Sequence, residues 1–225
     1  MFIELIDLLR CIKPHEDTWL VASFKTVTNR FVLDASLGCP SCSAQYSIYE
    51  GVADFTAGVE LARREAERAA ASHRREELAT RAGAYLDVTE PGATIVLGGV
   101  WAYAAQELSE MADVRVLALN ASDEVKESHT VALLRVGSKI PVAPGSVLGV
   151  ALDAWFPAAV VESAVRAVRP GGRIVGPAAI PTPAELTVLA HDDNYWVAQK
   201  PPEVVTISRA SRCLPIYRPH RKASR

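Results

Sequence analysis

From Ala93 to Gly176 the chain alternates short β-type runs with helix-type runs, and this rhythm limits its fold more than any other feature. ATIVL is followed by the helical AYAAQELSEMA. VRVLAL, VALLRV and VLGVAL come next, then the helical PAAVVESAVRAV and the strand-like GRIVG. Strands separated by crossovers of this kind pair in parallel, their crossovers are right-handed, and helices cover both faces. LTVLA, YWVAQK and VVTISRA follow. The turn-forming Pro201-Pro202-Glu203 between the last two predicts an antiparallel hairpin at the sheet's edge.

The first 55 residues have a different texture. WLVASF (19–24), RFVLDA (30–35) and QYSIYEGVADF (45–55) are aromatic and β-branched runs divided by turn formers, and they predict a small β unit. Between Ala57 and Gly83 the composition turns to Ala, Arg and Glu, with Leu61, Ala62, Ala66, Ala69 and Ala70 at helical spacings, which predicts a solvated helical connector. The expected division is residues 1–56, a connector at 57–83, an α/β domain at 84–210, and a basic tail at 211–225.

A chain of 225 residues holds one ordinary core and a small appendage. Its net charge of -2 carries no global field for nucleic acid or membranes, so neither DNA nor a bilayer is expected as a partner. MFIELIDLLR places Glu4 and Asp7 where a secretory signal needs a basic start and an apolar run. The apolar stretch 147–161 is interrupted by Asp153 and Pro157. The expected location is cytoplasmic, where cysteines serve as metal ligands or core residues rather than as disulfides.

Cys11-Ile-Lys-Pro-His15 and Cys39-Pro-Ser-Cys42 are two close pairs of zinc-type ligands separated by the first two β runs. Two turn-borne pairs on a β ribbon provide four donors for a tetrahedral, closed and therefore structural site. A β unit of this size buries too little apolar surface to be secure alone, and bound zinc adds about 10 kcal/mol or more to the folding of such modules. The competing reading makes the cysteines buried thiols and His15 a surface residue. Cys213 lies in the tail and is not counted as a ligand.

LIDLLRC (5–11), GCPSC (38–42) and YSIYEGVADF (46–55) together resemble the small zinc-ribbon domain related to the tRNA-methyltransferase activator subunit. The resemblance covers residues 1–55 and departs from that family where Cys11 and His15 replace a second C-x2-C. In bacteria this ribbon is often fused in front of a class I methyltransferase. The remainder, about 75–210, resembles a class I S-adenosylmethionine-dependent methyltransferase. PGATIVLGG matches the first strand and glycine loop, VRVLALNAS the second strand, IPVAPGSVLGVALD the stretch into the fourth, and RAVRPGGRIVG the turn into the fifth. The implied fold is α/β, a doubly wound, mostly parallel seven-stranded methyltransferase-like sheet behind a small β zinc ribbon.

By the same resemblance Gly98, Gly99, Trp101 and Asn120 stand at the cofactor-binding positions. Several depart from the family's chemistry. Leu97 stands where an acid is usual, and Trp101 and Tyr103 fall near later glycine positions. Asn120 replaces the ribose-binding acid and offers only one acceptor oxygen. Gly137, Ser138 and Lys139 stand where an acid often meets the adenine amine. Ser146-Val147-Leu148 replaces the usual Ser-Phe-Asp, leaving Asp153 as the carboxylate near a reaction centre, or else as a helix N-cap before Pro157 or a surface acid.

Two functions compete. In the first, the protein is a methyltransferase-like pseudoenzyme with structural zinc, working as a binding or assembly partner of a protein or of its own copies, with at least one of Trp101 and Tyr103 filling the cofactor cavity. In the second, it is an active methyltransferase that uses S-adenosylmethionine on a small molecule or RNA. RNA held by the ribbon and the basic tail is a third expectation.

Overall fold

The computed structural model describes residues 1–59 and 73–203. VVTISRA, the basic tail and most of the expected connector lie outside these residues. A four-residue helix, α1 (Ile3–Ile6), buries Leu5 and Ile6 and leads into an antiparallel meander. Its strands are β1 (Val21–Thr28), β2 (Phe31–Gly38), β3 (Gln45–Tyr49) and β4 (Val52–Phe55). Two of its turns are two-residue loops with both central residues at positive φ: Asn29 and Arg30 (50° and 69°), then Glu50 and Gly51 (48° and 77°). Such turns match the right-handed twist of the strands that they join. Strict alternation on β3 turns Tyr46 and Ile48 inward, and Ala53 and Phe55 follow on β4.

The second part of the chain supplies α2 (Arg75–Leu86), β5 (Thr94–Gly98), a 3-10 turn (Gly99–Ala104), α3 (Ala105–Ala112), β6 (Arg115–Leu119), β7 (Val131–Val136) and β8 (Val147–Ala151). It continues with α4 (Ala158–Ala167), β9 (Val168–Pro177), β10 (Thr187–His191) and β11 (Tyr195–Gln199). β5 and β8 are buried at every residue, as a parallel strand covered on both faces must be. Alternate residues serve two cores. Val96, Leu117, Leu134, Val150 and Ile174 pack beneath α4, whereas Ile95, Leu97, Val116, Ala151 and Val175 pack beneath α2 and α3. α2 is no solvated connector along this stretch, because Leu78, Ala79, Ala82 and Leu86 form its buried stripe.

The fold is a mixed α/β sheet, but its size differs from the expected seven strands. Among the described residues eleven strands form one sheet in the order β1-β2-β3-β4-β7-β6-β5-β8-β9-β11-β10. The joint is a parallel pairing of β4 with β7, from Val52 against Leu133 to Phe55 against Val136. Without it β7 would be an open edge of a parallel sheet, with a row of unpaired backbone groups. Nothing local in VADF announces a partner 81 residues away, from Val52 to Leu133, which is why the two parts look separate in the sequence.

The terminal hairpin also differs. β11 pairs antiparallel with β10, Thr187 opposite Gln199 and His191 opposite Trp196, and on its other side with β9. Asp192 closes the turn, its Oδ1 accepting from the backbone N–H groups of Asn194 (2.8 Å) and Tyr195 (2.7 Å). The expected partner of YWVAQK, VVTISRA, lies outside the described residues.

Candidate metal centre and cofactor crevice

Cys11 follows α1 on a segment tied down by bridges from Leu9 to Val142 and from Arg10 to Trp19. Cys39 ends β2, and the turn after it is closed by Ser43 N–H donating to Cys39 O (2.9 Å) and Cys39 N–H donating to Ala44 O (2.8 Å). These turns bring Cys11, His15, Cys39 and Cys42 together, with all four candidate ligand atoms within 4.8 Å of one another. Cys11 Sγ stands 3.7 Å from Cys42 Sγ and 3.1 Å from His15 Nε2, and Cys39 Sγ stands 3.4 Å from the same nitrogen. A tetrahedral zinc with ordinary bond lengths needs sulfur atoms about 3.8 Å apart and sulfur–nitrogen pairs about 3.6 Å apart. The four side chains therefore fit a metal ion.

The surroundings suit that role. His15 Nδ1 lies 2.6 Å from Glu16 O, so its proton is directed at the carbonyl and the lone pair of Nε2 faces the thiols. This backbone contact, followed by the neighbouring Cys11, raises the His15 pKa. Burial pushes the Cys11 thiol up, yet hydrogen bonds with Tyr46, the Lys13 backbone, His15 and Cys42 outweigh it and bring the thiol down to about 6. Three thiolates and a neutral imidazole would leave one net negative charge around a divalent ion. Lys139 is a cation within coulombic reach of Cys11, its own pKa lowered by burial and by Arg166.

The carboxyl ends of β5 and β8 flank the point where the strand order reverses. In open α/β sheets this is where ligands enter. Gly98 and Gly99 leave β5 here, and in both cases the space beside the glycine is already taken by the chain itself. A Cβ on Gly98 would come within 2.6 Å of Phe156 Cε2 and 2.8 Å of Leu152 Cδ2; one on Gly99, whose φ is +63°, would overlap the Asp153 carboxylate. Asp153 is buried, and its Oδ2 accepts from Val100 N–H (2.6 Å) while its Oδ1 accepts from Trp155 N–H (3.0 Å). The helix-cap alternative does not hold, since α4 is capped by Pro157 without a side-chain hydrogen bond. Sequence reasoning missed Phe156 and Leu152. The available signal was the glycine pair, which marks a close approach without saying by what.

Trp101 and Tyr103 lie in the 3-10 turn, buried with the residues beneath α2 and α3. The Trp101 ring meets Tyr195 at 5.1 Å and Tyr85 at 6.2 Å, and the Arg75 guanidinium lies 5.8 Å from the Tyr103 ring centre. Phe156 and Leu152 belong to the other core, beneath α4. Asn120, at φ 51°, turns its amide onto the end of β7: its Nδ2 donates to Val136 O (3.0 Å) and its Oδ1 accepts from Val136 N–H (2.8 Å). Both polar ends are thereby committed to the backbone. Asn120→Asp removes the donor and sets a carboxylate against the Val136 carbonyl. A loss of about 1–3 kcal/mol is expected in denaturant unfolding, and an unchanged midpoint would show that the amide is dispensable.

Among the described residues no helix is long and apolar enough to cross a membrane. No family model matches the chain, and no curated protein matches it. Among solved structures it is similar to the [4+2]-cyclase SpnF, with 14% identity over 45% of this chain and 44% of that one and a TM-score of 0.39. A geranyl diphosphate methyltransferase in complex with SAM gives 20% identity over 47% of this chain and 48% of that one, with a TM-score of 0.37. MycE methyltransferase from the mycinamycin biosynthetic pathway, in complex with Mg and SAH, gives 12% over 60% and 49%, with a TM-score of 0.40. The chain spans less than half the length of each of these three proteins.

Proposed function

We propose that this protein is a methyltransferase-like pseudoenzyme whose cofactor crevice is filled by its own side chains, joined to a structural zinc ribbon and working as a binding or assembly partner. The observation that carries this reading is the seating of Asp153 and Phe156 on Gly99 and Gly98. Glycines at that point let a ligand approach the backbone, and here the same freedom is used by an internal carboxylate bonded to Val100 N–H and by an aromatic ring. The strand order from β7 to β10, reversing at β5 and β8 and carrying β11 as its one antiparallel member, supports a seven-stranded methyltransferase-like unit within the longer sheet.

In the metal centre Cys11, Cys39, Cys42 and His15 would hold zinc, which would supply folding energy and no open coordination position for chemistry. Thiol and imidazole donors of this kind suit zinc in preference to magnesium or calcium.

Calorimetric titration of the zinc-loaded protein with S-adenosylmethionine tests the crevice. The expected result is no binding at millimolar ligand. A dissociation constant in the micromolar range, about -8 kcal/mol, would restore the active methyltransferase as the better reading. Sedimentation of the same sample separates a self-assembling protein from one that needs a different partner.

A further inference from the structure

Tyr46 is a core residue of β3 with its phenol at the metal centre. It is 6% exposed, and its ring stacks on Phe55 with centroids 4.5 Å apart and an interplanar angle of 29°. The Oη atom lies 3.2 Å from Cys11 Sγ and 3.3 Å from the backbone nitrogen of Ile12. Ile12 N–H can only donate, so Oη accepts there, and its own single proton is left for the sulfur. The hydroxyl is thus an oriented donor, fixed by the ring stack on one side and the Ile12 amide on the other.

We propose that Tyr46 is a positioning residue for the metal, its hydroxyl holding the Cys11 sulfur at its place in the ligand set and so fixing how tightly zinc is kept. The inference rests on the metal reading of Cys11, His15, Cys39 and Cys42. A hydrogen bond from outside the ligand set orients the ligand on the metal, and removing such a partner commonly weakens metal binding about 10- to 100-fold. Tyr46 also ties the centre to the core, because the residue that holds Cys11 packs on Phe55 of β4, the strand that joins the ribbon to β7.

Tyr46→Phe tests this, since it deletes the oxygen and retains the ring stack. Zinc affinity is measured by competition with a chromophoric chelator, and the cobalt-substituted protein is examined for its thiolate-to-metal charge-transfer band. The expected result is zinc affinity about 10- to 100-fold weaker together with a shifted cobalt band. Affinity within twofold of wild type and a superimposable cobalt spectrum would overturn the proposal. So would weaker binding with an unshifted cobalt band, which marks a purely structural role. Wild-type protein that takes up neither metal would overturn the metal reading itself, and this outcome is seen before any variant is made.

Discussion

Cys39→Ser is expected to abolish tight zinc binding and to unfold the first part of the sheet, with hydrogen-exchange protection lost in β1 to β4 and weakened in β7. Cys39 is only 3% exposed, so the serine oxygen would replace a buried thiolate with a short, weakly binding hydroxyl. The stake is large because zinc contributes about 10 kcal/mol or more to modules of this kind, comparable with the entire stability of an ordinary domain. The outer strand adds little to hold the meander: β1 is exposed along seven of its eight residues, with Val21, Phe24 and Val27 open to solvent. Chelation of wild-type protein should reproduce the effect. Metal-free protein that keeps full protection in β1 to β4 would show that the thiols are ordinary core residues and that the metal reading is wrong.

The reach of that effect into β7 follows from the β4–β7 pairing, and this pairing marks the boundary of what the sequence made legible. The strands from ATIVL to GRIVG are visible because each is a short apolar run between turn formers, and the four metal-ligand candidates because thiol and imidazole pairs at turn spacing are rare without a purpose. Long-range pairing leaves no such trace: Val52 to Phe55 are a plausible strand wherever they go. The β10–β11 hairpin was missed for a similar reason, since LTVLA and YWVAQK are plausible strands whichever neighbour they take. Within the crevice, Gly98, Gly99 and Asn120 were visible as positions but not as contacts. Only the folded chain shows that Asn120 serves Val136 and that Gly99 admits Asp153.

Trp101→Ala is expected to cost about 3–5 kcal/mol, or a fall of about 6–20 °C in Tm, and to gain no affinity for S-adenosylmethionine. The indole is 1% exposed and is the largest side chain beneath α2, against Tyr195, Tyr85 and the Arg81 guanidinium at 5.7 Å from its ring centre. Among the described residues its Nε1 finds no hydrogen-bond partner, so the stabilisation comes from ring packing and is reduced by a buried, unpaired N–H. Trp101→Phe, which retains an aromatic ring and deletes that donor, should therefore lose far less than the alanine variant. Phe156 and Leu152 cover Gly98 from the opposite core, and Asp153 covers Gly99, so emptying the Trp101 site leaves the crevice filled. Micromolar binding of S-adenosylmethionine by Trp101→Ala would reverse this assignment and make the indole the plug. Lost stability without gained binding would leave that role to Asp153 and Phe156.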